Sequence, residues 1–105
     1  MINDIETKRK QLQNTIRDLS RTGSEYAEAY ANYRMELAKE LLRLRDDGVP
    51  VTLASDLARG KPEIAELKRI EISKEAIYKA NQESINAIKL ELKLMESEMQ
   101  REWSN

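Results

Sequence analysis

The sequence predicts an all-α fold: an antiparallel hairpin of two long helices with a short helix in the connecting corner. Three observations predict it. Two long segments carry apolar residues at spacings of three, four and seven, the period of a helix face. Both are built mostly from Ala, Leu, Glu, Lys, Arg and Gln, which favour helix. Glycine and proline gather in one place, as Gly48, Pro50, Gly60 and Pro62, and otherwise only Gly23 interrupts the chain, so there is one corner between two rods.

The first helix is expected over about residues 3–47, with the stripe Ile2, Ile5, Leu12, Ile16, Leu19, Tyr26, Tyr30, Tyr33, Leu37, Leu41 and Leu44. Unbroken, it would run about 65 Å. Thr22 and Glu25 have capping-box spacing around Gly23, which could start a new helix there. The stripe keeps its phase across Gly23, however, and continuity is the expectation. Gly23 falls on the apolar face, where it would admit a neighbouring helix closely.

The corner spans about residues 48–61. Thr52 can cap a short helix and Gly60 can end it. Leu53 and Leu57 lie four apart, so both are expected to face one surface and plug the end of the hairpin. The second long helix, about residues 62–103, opens at Pro62, a residue suited to the first helical position. Its stripe reads Ile64, Leu67, Ile70, Ile77, Asn81, Ile85, Ile88, Leu92, Met95 and Met99, with a stutter-like slip at Ser84–Ile85.

Folded back, the rods place Leu44 beside Ile64. That register sets Leu37 near Ile70, Tyr26 and Tyr30 near Asn81 and Ile77, Leu19 near Ile88, and Leu12 near Met95. Lys74 and Asn81 then fall opposite Tyr33 and Tyr26, whose hydroxyls could satisfy them, a band that fixes register in preference to binding a ligand. Charge supports the same pairing: Lys8, Arg9, Lys10, Arg17 and Arg21 dominate residues 1–21, and Glu91, Glu96, Glu98 and Glu102 dominate residues 90–105. Trp103 is expected to pack over Ile2 and Ile5.

Composition narrows the chemistry. The 105 residues include no cysteine and no histidine, which removes disulfides, thiol chemistry, the usual zinc ligands and the side chain best suited to proton transfer near neutral pH. Most carboxylates are placed on the solvent side, no Glu-x-x-His or glycine-rich phosphate loop occurs, and Ser73, Ser84 and Ser97 have no base at useful spacing. No enzyme, cofactor or metal is therefore expected. With 18 basic against 19 acidic residues the formal charge is -1, so nucleic-acid binding would need a local patch. The only basic clusters, Lys8-Arg9-Lys10 with Arg17 and Arg21, and Arg34, Lys39, Arg43 and Arg45, are interleaved with acids. No membrane-length apolar run and no signal-peptide pattern is seen, so a cytoplasmic, membrane-free protein is expected.

Two helices alone leave much apolar surface wet. Ala27, Ala31, Met35, Ala38 and Leu42 on the first helix, and Ile72, Ala76, Ala80, Ala87, Leu90 and Leu94 on the second, are read as widening the apolar face, which predicts a homo-oligomeric bundle, most simply a dimer. The candidate core and oligomer residues are Ile16, Leu19, Tyr26, Tyr30, Tyr33, Leu37, Ile77, Asn81, Ile85, Ile88, Leu92 and Met95. The candidate docking surface for a protein partner is the corner: Val49, Pro50, Leu53, Leu57 and Arg59.

The segments Asn32-Tyr33-Arg34, Leu37-Ala38, Gly48-Val49-Pro50-Val51-Thr52-Leu53, Asp56-Leu57-Ala58-Arg59-Gly60, Tyr78-Lys79-Ala80, Glu83-Ser84-Ile85-Asn86 with Lys89, and Arg101-Glu102-Trp103 carry a diffuse resemblance over most of the chain. It resembles the small helical proteins of unknown function encoded by phages and prophages of Gram-positive bacteria, often among genes for DNA replication and recombination. The resemblance implies a non-enzymatic accessory protein of the host cytoplasm that acts by binding another protein. The alternative it leaves open is a nucleic-acid-binding accessory factor of phage DNA replication or recombination. Small secreted helical hairpins with a Trp-x-Gly turn differ, since the corner here has no tryptophan.

Overall fold

The computed structural model describes residues 2–104. It contains three helices, α1 (Ile2–Asp46), α2 (Val51–Gly60) and α3 (Pro62–Ser104), and no strand among the described residues. The expected order and boundaries hold within a residue or two, apart from the start of the short corner helix. Helix α1 passes through Gly23 without a break, and Thr22 is not a cap but a buried residue within the helix.

The corner is closed by backbone chemistry. Gly48 has φ +81°, the left-handed conformation that ends helices at low cost only for glycine. Its N–H donates to Arg45 C=O at 3.0 Å, and Val49 N–H donates to Leu44 C=O at 3.0 Å. This is the paired closure that satisfies the last carbonyls of a helix, with Val49 packed on the cluster that contains Leu44. The flanking residue of α2 is Pro50, which makes no side-chain cap; the expected cap, Thr52, lies within the first turn. Lys61 ends α2 in an extended conformation (φ -65°, ψ 129°), as a residue before proline must, and Pro62 opens α3.

The chain divides into two compact units, Met1–Thr22 with Ile77–Asn105, and Gly23–Ala76. In the first, α1 and α3 pair antiparallel around buried Ile5, Ile88 and Leu92, with half-buried Leu12, Met95 and Met99 against them. In the second they pair antiparallel around buried Tyr33, Leu37, Leu44 and Ile64, and α2 adds Ala54 and Ala58 to the same cluster.

The seam differs in phase from the expected stripe at several points. Along α3 the seam runs through Ile64, Leu67, Glu71, Lys74, Tyr78, Asn81, Ile85, Ile88, Leu92, Met95 and Met99, each buried or half-buried. That is an unbroken three-four alternation, with no slip at Ser84–Ile85. Ile77 is exposed and Ile70 only half-buried; Tyr78 and Glu71, one position further on, face the neighbouring helix. On α1, Ile16 and Tyr30 are exposed, while Thr15 and Ala29, one position earlier, are covered. On α2, Leu53 and Leu57 are about half exposed and do not plug the corner; Ala54 and Ala58 do, at 1% and 0% exposure. At Thr15, Ala29, Ala54, Ala58 and Glu71 a polar or small residue occupies the seam, and its bulkier apolar neighbour is left partly or wholly outside.

Register is also corrected. Tyr26 meets Glu75 rather than Asn81, and Tyr33 lies under Lys68 rather than beside Lys74. The partner on α3 is thus about two turns earlier than expected. The reason lies in the corner: Ala54 and Ala58 occupy the cluster beside Leu44, and the start of α3 lies level with Glu40, to which Lys61 is bonded. Sliding one helix past another by about a heptad keeps its apolar phase, so the stripe alone could not select between the two registers.

Candidate functional site

Three features are candidates for a functional site: polar layers set into the seam, a charged lock at the corner, and apolar surface outside the seam.

In the first unit Asn81 makes the polar layer. Its Nδ2 donates to the Thr15 carbonyl at 3.0 Å, and its Oδ1 accepts from the Thr22 hydroxyl at 2.8 Å. A side-chain amide bonded to both sides of one register loses both bonds if the helices slip, so the layer fixes alignment. The ends of this unit carry the expected ion pairs, Lys8 with Glu91 and Arg9 with Glu96 at 3.0 Å.

In the second unit the layer is built from charged residues. Tyr26 Oη donates to Glu75 at 2.8 Å, and that carboxylate pushes the phenol pKa up. Lys74 bonds Glu25 at 3.2 Å. Lys68 bonds the buried Glu71 at 2.9 Å and lies 4.8 Å from the centroid of the Tyr33 ring, so both the carboxylate and the ring face favour its charged form; the Glu71 bond is the larger cause of its raised pKa. The Tyr and Asn band expected from the sequence is therefore two separate layers, with Glu71 and Thr22 as members that the reading of the stripe passed over.

At the corner, Glu40 occupies the seam between Leu37 and Leu44 with its side chain 9% exposed. It accepts bonds from the Arg43 guanidinium and, at 3.0 Å, from Lys61. The hydrogen bonds from Arg43 and, second, from Lys61 hold its carboxyl down at about 2, against an ordinary value of 4.5. Placing most carboxylates on the solvent side thus fails for Glu40 and Glu71, which occupy seam positions. The signal was present: Glu40 stands at three-four spacing between Leu37 and Leu44, Glu71 follows Leu67 by four, and each has a basic residue three positions away.

Of the candidate core residues, Tyr33, Leu37, Ile85, Ile88 and Leu92 are buried, Leu19, Tyr26, Asn81 and Met95 are half-buried, and Ile16, Tyr30 and Ile77 are exposed. In the candidate docking corner Pro50, Leu53, Leu57 and Arg59 are exposed; Val49 is half-buried against the core. Arg59 is steadied by a 2.9 Å bond to Ser55 Oγ. Trp103 is 77% exposed and does not cap Ile5, which Ile88, Leu92 and Met99 cover.

The residues read as widening the seam do not widen it. Ala27, Ala31, Met35, Ala38 and Leu42 are all exposed, and at 100° per residue they centre about 160° round α1 from the seam of the second unit. On α3 the same is true of Ile72 and Ala76 in that unit, and of Ala80, Ala87, Leu90 and Leu94 in the first. Each long helix therefore has a second apolar stripe on its far side. Among the described residues no group of carboxylates is arranged to hold a metal ion, and no helix is long and apolar enough to cross a membrane.

No family model, curated protein or solved structure matches the chain.

Proposed function

We propose that the chain is a non-enzymatic, self-associating helical protein that works by protein–protein contact, an accessory protein of the phage type. The observation that carries this reading is apolar surface on the far side of the seam, including Met35, Leu42, Ile72, Leu90 and Leu94, each more than half exposed. A helix buries one stripe to fold; a second stripe on the opposite side serves contact with another surface.

Self-association through the far sides of the long helices leaves the corner surface of Pro50, Leu53, Leu57 and Arg59 for a different protein partner. The nucleic-acid alternative draws less support, because Lys8, Arg9, Arg43 and Lys61 are already paired with carboxylates, which lowers their attraction for phosphate. Sedimentation equilibrium at micromolar concentration tests the reading. A mass of twice the 12.2 kDa chain or more is expected; a 12.2 kDa species at every concentration overturns it.

A further inference from the structure

We propose that two copies of this chain pair antiparallel through the outer stripe of α1, about a two-fold axis passing between Met35 and Ala38. The inference rests on the self-association reading and assigns it a surface.

Within the second unit six exposed residues, Glu28, Ala31, Met35, Ala38, Leu42 and Arg45, follow one another at intervals of three, four, three, four and three. That is the spacing of a coiled-coil seam, separate from the seam already used against α3. The two ends carry opposite charge. Neither Glu28 nor Arg45 has an ion-pair partner among the described residues, whereas neighbouring Arg43 is engaged by Glu40 and Asp47.

Laid antiparallel on a copy of itself, the stripe is its own complement. Glu28 of one copy faces Arg45 of the other, Ala31 faces Leu42, and Met35 faces Ala38, each contact occurring twice about the two-fold axis. A small residue meets a large one in every apolar layer, which keeps the helix separation even. Beside the apolar layers the flanks bring no like charges together: Lys39 falls beside Asn32, and Arg34 beside Leu41, where its aliphatic stem can lie on the leucine. A parallel arrangement instead stacks Glu28 on Glu28, Arg45 on Arg45 and Met35 on Met35.

The groove between α1 and α2 continues the surface. Ala38, Leu41, Leu42, Arg45, Val51 and Ala54 line it, with a volume of about 420 Å³, and Val51 on its rim is 70% exposed. In the antiparallel register the Ala27–Ala31 turn of the other copy overlies it. Self-complementarity in both size and charge is what identifies the occupant as a second copy of this chain, since a foreign partner would impose no such reversal symmetry on the stripe.

Sedimentation velocity on the full chain tests the proposal with charge reversals. Glu28→Arg alone, or Arg45→Glu alone, places two like-charge contacts in the dimer and is expected to raise its Kd about tenfold. The double variant restores both pairs and is expected to return Kd to within about threefold of the wild type. Met35→Glu is expected to weaken the dimer by about a hundredfold or more. Circular dichroism of every variant should match the wild type, because all these sites are exposed. If the reversals have no effect, or the double variant adds their effects instead of rescuing them, the proposed face is overturned. If in addition Leu90→Glu with Leu94→Glu dissociates the assembly, self-association stands and α3 supplies the surface. A wild type that is monomeric at every concentration overturns both readings.

Discussion

The two units join the same pair of helices with different chemistry. In the first, Ile5, Ile88 and Leu92 form the buried cluster, and a neutral amide, Asn81, ties α1 to α3 through a carbonyl and a hydroxyl. In the second, α2 joins the pair and its two alanines close a larger cluster, beside which the carboxylates of Glu40 and Glu71 are held by lysine and arginine. A third element excludes water from one end of the seam. The charges enclosed there must then be matched by hydrogen bonds. Where only two helices pack, a neutral polar layer achieves alignment without that requirement.

The sharpest way to break this comparison is to remove core volume from each unit. Leu37→Ala should cost about 3 kcal/mol, and Ile88→Ala about 2 kcal/mol, because surroundings with fewer packed neighbours collapse more readily around a lost side chain. Urea titration of both variants measures the difference, and equal losses would deny the second unit its tighter packing.

Next in size is a contrast between neighbours on α2. Ala58→Leu overfills a site with 0% exposure and should cost about 2 kcal/mol. Leu57→Gln, one position away and about half exposed, should stay within about 0.5 kcal/mol of the wild type. Thermal melts of the two variants would sink the assignment of Ala58 to the core if the order were reversed.

Asn81→Ala should cost about 1.5 kcal/mol, since it leaves the Thr15 carbonyl with one bond fewer and the Thr22 hydroxyl with only the longer 3.3 Å bond to the Leu19 carbonyl. Asn81→Leu should be less costly and yet loosen alignment. Broadened distances between spin labels on exposed sites of α1 and α3 in the first unit would report the slip, and unchanged distances would remove the amide's aligning role.

Acid distinguishes the charged layers from the neutral one. The folded chain holds the Glu40 carboxyl at about 2, and the unfolded chain releases it to the ordinary value of 4.5. The unfolded state therefore binds the proton first. The stabilisation is complete above about pH 4.5 and is lost as pH falls toward 2. Glu66, held below its ordinary value by Arg69, acts in the same direction. Glu40→Gln should flatten the acid limb of a plot of urea midpoint against pH; a limb of unchanged steepness would show that Glu40 is not bonded this way.

The helices, the corner and the antiparallel pairing were legible because capping, proline placement and periodicity act locally. Phase was less so. Reading the largest apolar residues as the seam selected Ile16, Tyr30, Leu53, Leu57 and Ile77, whereas the covered positions are Thr15, Ala29, Ala54, Ala58 and Tyr78. Small residues allow helices to approach, and a polar residue bonded across the seam is as well accommodated as an apolar one, so hydrophobicity alone is a poor guide to phase in a thin two-helix layer. Register was hidden for a related reason, since a heptad slip preserves the stripe and only the seating of Ala54 and Ala58 against the end of α1 excludes it. The far-side stripes were visible as residues, but their separation from the seam emerged only once the seam itself was located.

The second stripe is central to the account, and the dependence of the melting midpoint on protein concentration tests it most directly. If the far-side surface is covered by further copies, folding and association are linked, and the midpoint should climb steadily as the chain is concentrated from about 1 to 100 μM. A midpoint that stays constant across that range would show a chain that folds with its outer stripes bare, contradicting the account.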